Sequence, residues 1–438
     1  MNRSEVLRKL GVTELSDMQK ATLEAFGKKD QDIVVLSPTG TGKTLAYMLP
    51  LTEGIDVESD NVQAVVVVPG RELALQSCNT LQSMGCGVRG YACYGGRMAM
   101  DEHREMRNVM PHIVFSTPGR LVDHLDKGNI SPYGVRTIVI DEFDKCLDMG
   151  FADEMSRALA RLKFASRHVL LSATNAESIP QYVRMSDARI VNFLEDSDAV
   201  SRRIDLLMLR SPVNDKLDTL YSYLCTTADE STIVFANHRE SVERIASFLS
   251  SRGIVVSAFH GGFDQKQREA ALYKFSNGSA NVMVCTDLAS RGLDIDNIAN
   301  VVHYHLPETQ EAYIHRTGRT ARWNAAGTSL FILGPNESLP DYVGESREIT
   351  VPDELPAPGR PRMVTIYIGK GKKDKISRGD IVGFLCKKGG LQKDEVGKID
   401  VKDRYAYVAV KSGVAAKLLK TVANEKIKGL KTVFELIR

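Results

Sequence analysis

The sequence predicts an α/β protein: two tandem parallel-sheet domains followed by a small α+β domain. Three observations carry this. Short apolar runs alternate with helical stretches up to about residue 205, and the same alternation then restarts. Beyond a proline-rich stretch the remaining residues follow a β-α-β-β-α-β order. The expected divisions are 1–205, 206–346, a linker over 347–361, and 362–438. For 438 residues the length prior of about three domains agrees.

In the first segment the predicted strands are Ile33–Leu36, Ala64–Val68, Ile113–Ser116, Thr137–Ile140 and His168–Leu171. Each ends in a polar or glycine-bearing turn, as in an open parallel sheet whose site lies at the strand C-termini. The second segment repeats the pattern with Thr232–Phe235, Val255–Phe259, Asn281–Cys285, Asn300–Tyr304 and Ser329–Leu333. It lacks a phosphate loop of its own, so one nucleotide is expected in the cleft between two similar sheets. Pro352, Pro356, Pro358 and Pro361 cannot continue a helix or central strand and mark the linker. The last segment reads Val364–Ile368, Arg378–Lys387, Val396–Val401, Tyr405–Val410, Ala415–Asn424 and Thr432–Ile437. This is the ferredoxin-like order used by RNA-recognition modules.

Composition narrows the class. Apolar residues at 43% and charged residues at 26% are ordinary for a globular chain. The charged stretch Met1–Gly11 has no apolar core and predicts no secretory signal. No run approaches the ~18–20 apolar residues needed to cross a bilayer. The seven cysteines show no C-x-x-C spacing, which predicts reduced thiols in a cytoplasm rather than zinc or disulfides. The net charge of +2 hides a division: from Arg360 to Arg438, Lys and Arg outnumber Asp and Glu by 20 to 8, whereas elsewhere 37 basic residues face 47 acidic ones. A compact basic tail on an acidic body is the footprint of a polyanion-binding appendage.

Two motifs carry the chemistry. Ser37-Pro38-Thr39-Gly40-Thr41-Gly42-Lys43-Thr44 follows the run Ile33–Leu36 and reads as strand, phosphate-cradling loop and helix, with Ser37 where the pattern usually opens on glycine. Asp141-Glu142-Phe143-Asp144 follows Ile138-Val139-Ile140 and delivers carboxylates to a strand end. Together they predict a nucleoside triphosphate site with magnesium. Backbone amides of the loop hold phosphates, Lys43 neutralises the outer ones, Thr44 ligates the metal, and Asp141 holds it, through water, from the opposite side. Glu142 is the natural base for an attacking water, which predicts hydrolysis rather than transfer. Phe143 is expected to pack in the core.

With both halves read, the chain resembles a DEAD-box RNA helicase over nearly its whole length. The residues carrying the likeness, in order, are Thr39 to Thr44, Pro69-Gly70-Arg71-Glu72-Leu73-Ala74, Gly95-Gly96, Thr117-Pro118-Gly119-Arg120, Asp141 to Asp144 and Ser172-Ala173-Thr174. Gln265 to Arg268, Thr286 to Asp294 and His315-Arg316-Thr317-Gly318-Arg319-Thr320-Ala321-Arg322 follow. The resemblance implies two RecA-like domains that use ATP and magnesium to separate short RNA duplexes locally. It assigns adenine recognition to Gln19, with Val12 where the family usually has a stacking aromatic, and the ribose to Asp294. It makes Arg319 and Arg322 arginine fingers beside Arg316. RNA contacts fall to Arg71, Gly96, Thr117, Arg120, Arg268 and Thr286, with Gly70 replacing a threonine. His260, without a His or Cys partner at ligand spacing, is expected to be structural or RNA-adjacent.

The tail resembles the RNA-binding domain of the DbpA subgroup, bacterial DEAD-box proteins acting on large-subunit ribosomal RNA. The carrying residues are Ile366 to Gly369, Gly379 to Gly383, Val396 to Val401 and Tyr405 to Val410. Lys370, Lys372, Lys373 and Lys375 are its expected phosphate contacts; Tyr367, Tyr405 and Tyr407 either stack on bases or pack inward. The implied partner is 23S-type ribosomal RNA, bound by a monomer without a membrane. The rival reading is an ATP-gated RNA clamp or chaperone with little unwinding; Glu142, Arg319, Arg322 and the Ser172-Ala173-Thr174 element favour the enzyme.

Overall fold

The computed structural model describes residues 3–38, 40–96, 99–174, 179–185, 187–194, 204–227, 229–288, 298–320 and 326–437. The chain divides near residue 204 into two compact units. No described helix is long and apolar enough to cross a membrane.

The first unit is built on β1 (Ile33–Leu36), β2 (Ala64–Val67), β3 (Gly90–Cys93), β4 (Ile113–Ser116), β5 (Thr137–Ile140), β6 (Arg167–Ser172) and β7 (Arg189–Asn192). They form one sheet in the order β3-β4-β2-β5-β6-β1-β7 with every pairing parallel. Alternate residues of a strand feed opposite cores. Ile33 and Val35 join one apolar cluster while Val34 and Leu36 join the other. A strand buried on both faces therefore reads as a continuous apolar run. The sequence pattern missed β3 and β7, the two edges, because half-exposed strands such as Arg189-Ile190-Val191-Asn192 interrupt that run.

In the second unit β8 (Ile204–Arg210), β9 (Thr232–Phe235), β10 (Val256–Phe259), β11 (Val282–Cys285), β12 (Asn300–His303), β13 (Gly327–Leu333) and β14 (Arg347–Ile349) form the sheet β10-β11-β9-β12-β13-β8-β14. Strand for strand this is the order of the first sheet, so the molecule carries one topology twice. Strand β14 lies inside the range expected to be linker and pairs with β8 instead, which confines the irregular stretch to the residues after Ile349.

The tail comprises β15 (Met363–Ile368), β16 (Val396–Val401), β17 (Ala406–Lys411), the hairpin β18 (Lys426–Ile427) and β19 (Leu430–Lys431), and β20 (Phe434–Ile437). The antiparallel sheet runs β16-β17-β15-β20, and helices Arg378–Lys387 and Ser412–Val422 cover one face. Period-two alternation sends Ile366, Ile368, Ala406, Val408 and Val410 to that core. Thr365, Tyr367, Tyr405 and Tyr407 face the other way, onto helix Gln265–Ser276 of the second sheet domain. Lys266 Nζ stands 4.8 Å from the Tyr367 ring and the Tyr405 hydroxyl donates to Glu269 at 2.8 Å. Tyr273 stacks on Tyr407 with ring centres 5.2 Å apart, and its hydroxyl donates to the Lys398 carbonyl oxygen. Asn277 and Ser279 both bond Thr365 Oγ1. The helix residues recur at i, i+3 and i+7, a single stripe. The tyrosines thus pack inward, and the sheet face is a docking seam rather than an open platform.

Candidate functional site

The phosphate loop leaves β1 and the acidic motif leaves β5, with β6 between them in the sheet. Gly40 and Gly42 hold φ of 84° and 86°, the left-handed region that lets the loop turn back over the helix Lys43–Glu53. Thr41 Oγ1 donates to the Pro38 carbonyl oxygen at 2.9 Å and lies 2.8 Å from Ser37 Oγ, so the serine at the loop's first position braces it from within. Lys43 Nζ donates to the carbonyl oxygens of Ser37 and Pro38 at 2.6 and 3.0 Å. Burial lowers its ammonium to about 8 against the pull of Asp144, Asp141 and Glu142. Gln19 is 3% exposed. Its Nε2 donates to the Gly42 carbonyl oxygen at 3.2 Å and its Oε1 accepts from the Ser16 amide at 2.9 Å, which pins helix Asp17–Phe26 to the loop.

Across β6, Asp141 is buried, and its carboxyl is raised to about 7 by desolvation and then by the neighbouring Glu142. Glu142 sits at φ 52°, uncommon for a side-chain-bearing residue, and its Oε1 lies 2.7 Å from the fully buried Lys145 ammonium. Asp144 Oδ2 accepts from the Ala173 amide and the Thr174 hydroxyl, both at 3.1 Å, and so couples the acidic motif to the end of β6. Phe143 is fully buried in the core, as expected. Asp141, a buried carboxylate raised by a second carboxylate, is a fit for a divalent cation; Thr44 lies in the first turn of helix Lys43–Glu53. Lys145 was not singled out from the sequence; its signal was the i, i+3 spacing to Glu142.

A second group gathers at the other end of the same sheet edge. Gly96 holds φ of 92°, a conformation that L side chains rarely adopt, and the Arg71 guanidinium lies against it, 2.5 Å from where a Cβ would stand. The Thr117 amide donates to the Cys93 carbonyl oxygen at 3.2 Å and Thr117 opens helix Pro118–Asp126, which carries Arg120. Arg71, Gly96, Thr117 and Arg120 are thus neighbours at the ends of β2, β3 and β4.

In the second unit Arg319 and Arg268 are buried within the fold, and the Thr286 amide donates to the Phe259 carbonyl oxygen at 3.3 Å. Arg316 is fully buried, with two bonds to Asp287 and others to Asn237 and the His305 carbonyl oxygen. His260 is buried, its ring tilted against Phe263 and accepting from the Gly262 amide. In the tail, Lys370 pairs with Asp374 at 3.0 Å and Lys373 with Asp403 at 3.8 Å, while Lys372 and Lys375 are exposed. Thr39, Asp294 and Arg322 lie outside the described residues. All seven cysteines are free thiols.

A repeated parallel sheet, one phosphate loop and a carboxylate pair at the strand ends define a nucleotide hydrolase with a separate, basic α+β module. The profile described as DEAD/DEAH box helicase matches residues 16–181, the helicase conserved C-terminal domain matches 215–324, and the DbpA RNA binding domain matches 365–436. The ATP-dependent RNA helicase DbpA of Escherichia coli K12 is 34% identical over 97% of this chain and 94% of its own length. The DbpA of Bacillus subtilis 168 is 30% identical over 97% and 95%. The structure of S. cerevisiae Dbp5 bound to RNA and ADP BeF3 superposes with a TM-score of 0.68 at 26% identity, covering 76% of this chain and 88% of that one. The chain belongs to the DEAD-box ATP-dependent RNA helicase family, with a DbpA-type RNA-binding domain at its C-terminal end.

Proposed function

We propose that the protein hydrolyses ATP in response to RNA, separates short duplexes locally, and serves large-subunit ribosome assembly by binding 23S-type ribosomal RNA through its tail. The observation that carries this reading is the joined cluster of Lys43, Asp141, Glu142 and Asp144 with Thr174. In this reading Lys43 is the phosphate cation, Glu142 the base and Thr174 the coupling hydroxyl, and their proximity supports it. Thr44 and, through water, Asp141 would hold magnesium, which supplies charge neutralisation for the phosphates. Loop amides from Gly40 to Thr44 and Thr39 bind the phosphates, and arriving phosphate oxygens draw Lys43 off the loop carbonyls. Glu142, held by Lys145, takes the proton of the attacking water. Gln19 reads adenine by exchanging one of its two internal bonds; Asp294 meets the ribose. Arg319 and Arg322 stabilise the charge developing on the transferred phosphoryl group.

Arg71, Gly96, Thr117, Arg120, Arg268 and Thr286 track the RNA backbone, and Lys370, Lys372, Lys373 and Lys375 bind phosphates of the ribosomal target. Support for the tail's role comes from its basic surplus and from its match to the DbpA RNA binding domain. The protein acts as a cytoplasmic monomer in this reading. ATPase rates measured in parallel without nucleic acid and with DNA, generic RNA and ribosomal RNA test it, together with strand separation of a short duplex. Stimulation by ribosomal RNA above the others, with duplex separation, is the expected result. Equal rates in all four overturn the RNA reading, and stimulation without separation favours the clamp.

A further inference from the structure

Behind Arg120 lies a buried charge cluster that the reaction itself does not use. Glu102, on helix Ala99–Val109, has a fully buried carboxylate. Its Oε1 accepts from Arg120 Nε at 2.7 Å and lies 2.9 Å from His124 Nε2, while Oε2 accepts from the Tyr94 amide at 3.4 Å. On the other side of the ring, His124 Nδ1 lies 3.3 Å from Asn129 Nδ2. Arg120 balances the buried charge. Asp123 takes the other side of the guanidinium at 3.3 Å and also meets His103 and Lys127.

These contacts join three segments. The Tyr94 amide is one residue before Gly95-Gly96, Arg120 and His124 ride on the helix that Thr117 opens, and Glu102 comes from the helix between them. Cys93 completes a buried trio whose ligand atoms lie within 4.8 Å of one another. A cation bound there would have to displace Arg120 from Glu102, so the trio is already filled by a guanidinium.

We propose that Glu102 is a positioning residue for RNA: its carboxylate sets the edge formed by Gly96, Thr117 and Arg120, acting through the Arg120 guanidinium and the Tyr94 amide. This rests on the reading that the edge meets RNA. Glu102→Gln keeps the size, but removes the charge facing Arg120 and turns a donor toward the Tyr94 amide. In the full chain the RNA concentration for half-maximal ATPase stimulation rises about tenfold, equivalent to about 1.4 kcal/mol. The turnover at saturating RNA and the ATP affinity without RNA stay within about twofold by the same scale. Glu102→Asp, which keeps the charge, recovers part of the loss. Arg120→Gln gives a similar rise, and the double variant is no worse than the worse single one, because both remove the same link.

An unchanged RNA requirement in Glu102→Gln overturns the proposal, as does a parallel fall in ATP affinity, which marks general damage. If Arg120→Gln and Thr117→Val both leave RNA affinity unchanged, the RNA reading of this edge fails and the proposal with it. Uptake of one zinc ion that is lost in Cys93→Ser overturns it in favour of a metal site. Should Glu102→Gln not fold, Arg120→Lys decides: it keeps the charge but loses the fork spanning Glu102 and Asp123, and an unchanged RNA requirement again overturns the proposal.

Discussion

Lys43 and Glu142 are both charged and both buried, yet they act at different stages. Lys43 meets phosphates in the ground state, whereas Glu142 acts on the attacking water. Lys43→Ala is therefore expected to abolish productive ATP use, while Glu142→Gln binds ATP, fails to hydrolyse it and traps RNA; nucleotide binding and single-turnover hydrolysis separate the two. Near-normal turnover in Glu142→Gln removes it as the base. Lys145 acts on Glu142 rather than on the substrate, and its loss leaves Glu142 without the ammonium 2.7 Å away. Lys145→Met is expected to destabilise the first domain by about 3–5 kcal/mol, read as a lower melting temperature that Lys145→Arg partly restores. Arg319→Ala tests the finger: a loss on the order of 10³ in turnover with little change in ATP binding is expected, and equal losses in both point to a ground-state interaction.

Helix Arg378–Lys387 of the tail shows how an element is held by its first turn. Ser377 accepts from the Asp380 amide at 3.2 Å and Asp380 accepts from the Ser377 amide at 2.9 Å, a reciprocal cap. The Ser377 bonds, followed by Lys428, push the Asp380 carboxyl down to about 2. A depressed carboxyl stabilises the fold above its unfolded value of about 3.9 and stops doing so as pH falls through its folded value. Ser377→Ala is thus expected to cost about 0.5–2 kcal/mol of tail stability near neutrality. The gap from the wild type should shrink between roughly pH 4 and pH 2, where both chains become protonated. Denaturant titrations at three pH values check the sign; a gap that widens on acidification contradicts the cap.

At the scale of the molecule the tail is a seated domain, because its tyrosine face lies on helix Gln265–Ser276. Removing it exposes Tyr273 as well as subtracting charge. A chain cut near Arg360 is expected to keep weak ATPase with generic RNA but lose preference for ribosomal RNA. Its salt dependence should flatten by roughly 0.7–0.9 in log–log slope for each phosphate that is no longer neutralised, and the second sheet domain should melt at a lower temperature. Retained discrimination between ribosomal and scrambled RNA would move the address into the sheet domains. Tyr273→Ala in the full chain separates the two effects: it loosens the seam while leaving the lysines in place, so salt dependence is kept and the tail's tyrosine fluorescence changes.

Apart from β8, whose half-buried run is interrupted by Asp205, the central strands of both sheets, the phosphate loop and the acidic motif were legible in the sequence, because continuous apolar runs and contiguous motifs are local properties of the chain. The edge strands β3, β7 and β14 were not, since an edge exposes one face and its run is broken by residues such as Arg189 and Glu348. Nor could the chain order show that Arg316 is engaged by Asp287 or that Glu102 stands behind Arg120. Each is a buried charge whose partner comes from a fold neighbour, and the need to compensate a desolvated charge is met in space rather than along the sequence. The tyrosines of the tail make the same point. Alternation put Tyr367, Tyr405 and Tyr407 on one face, but only the helix lying across that face decided that it docks protein.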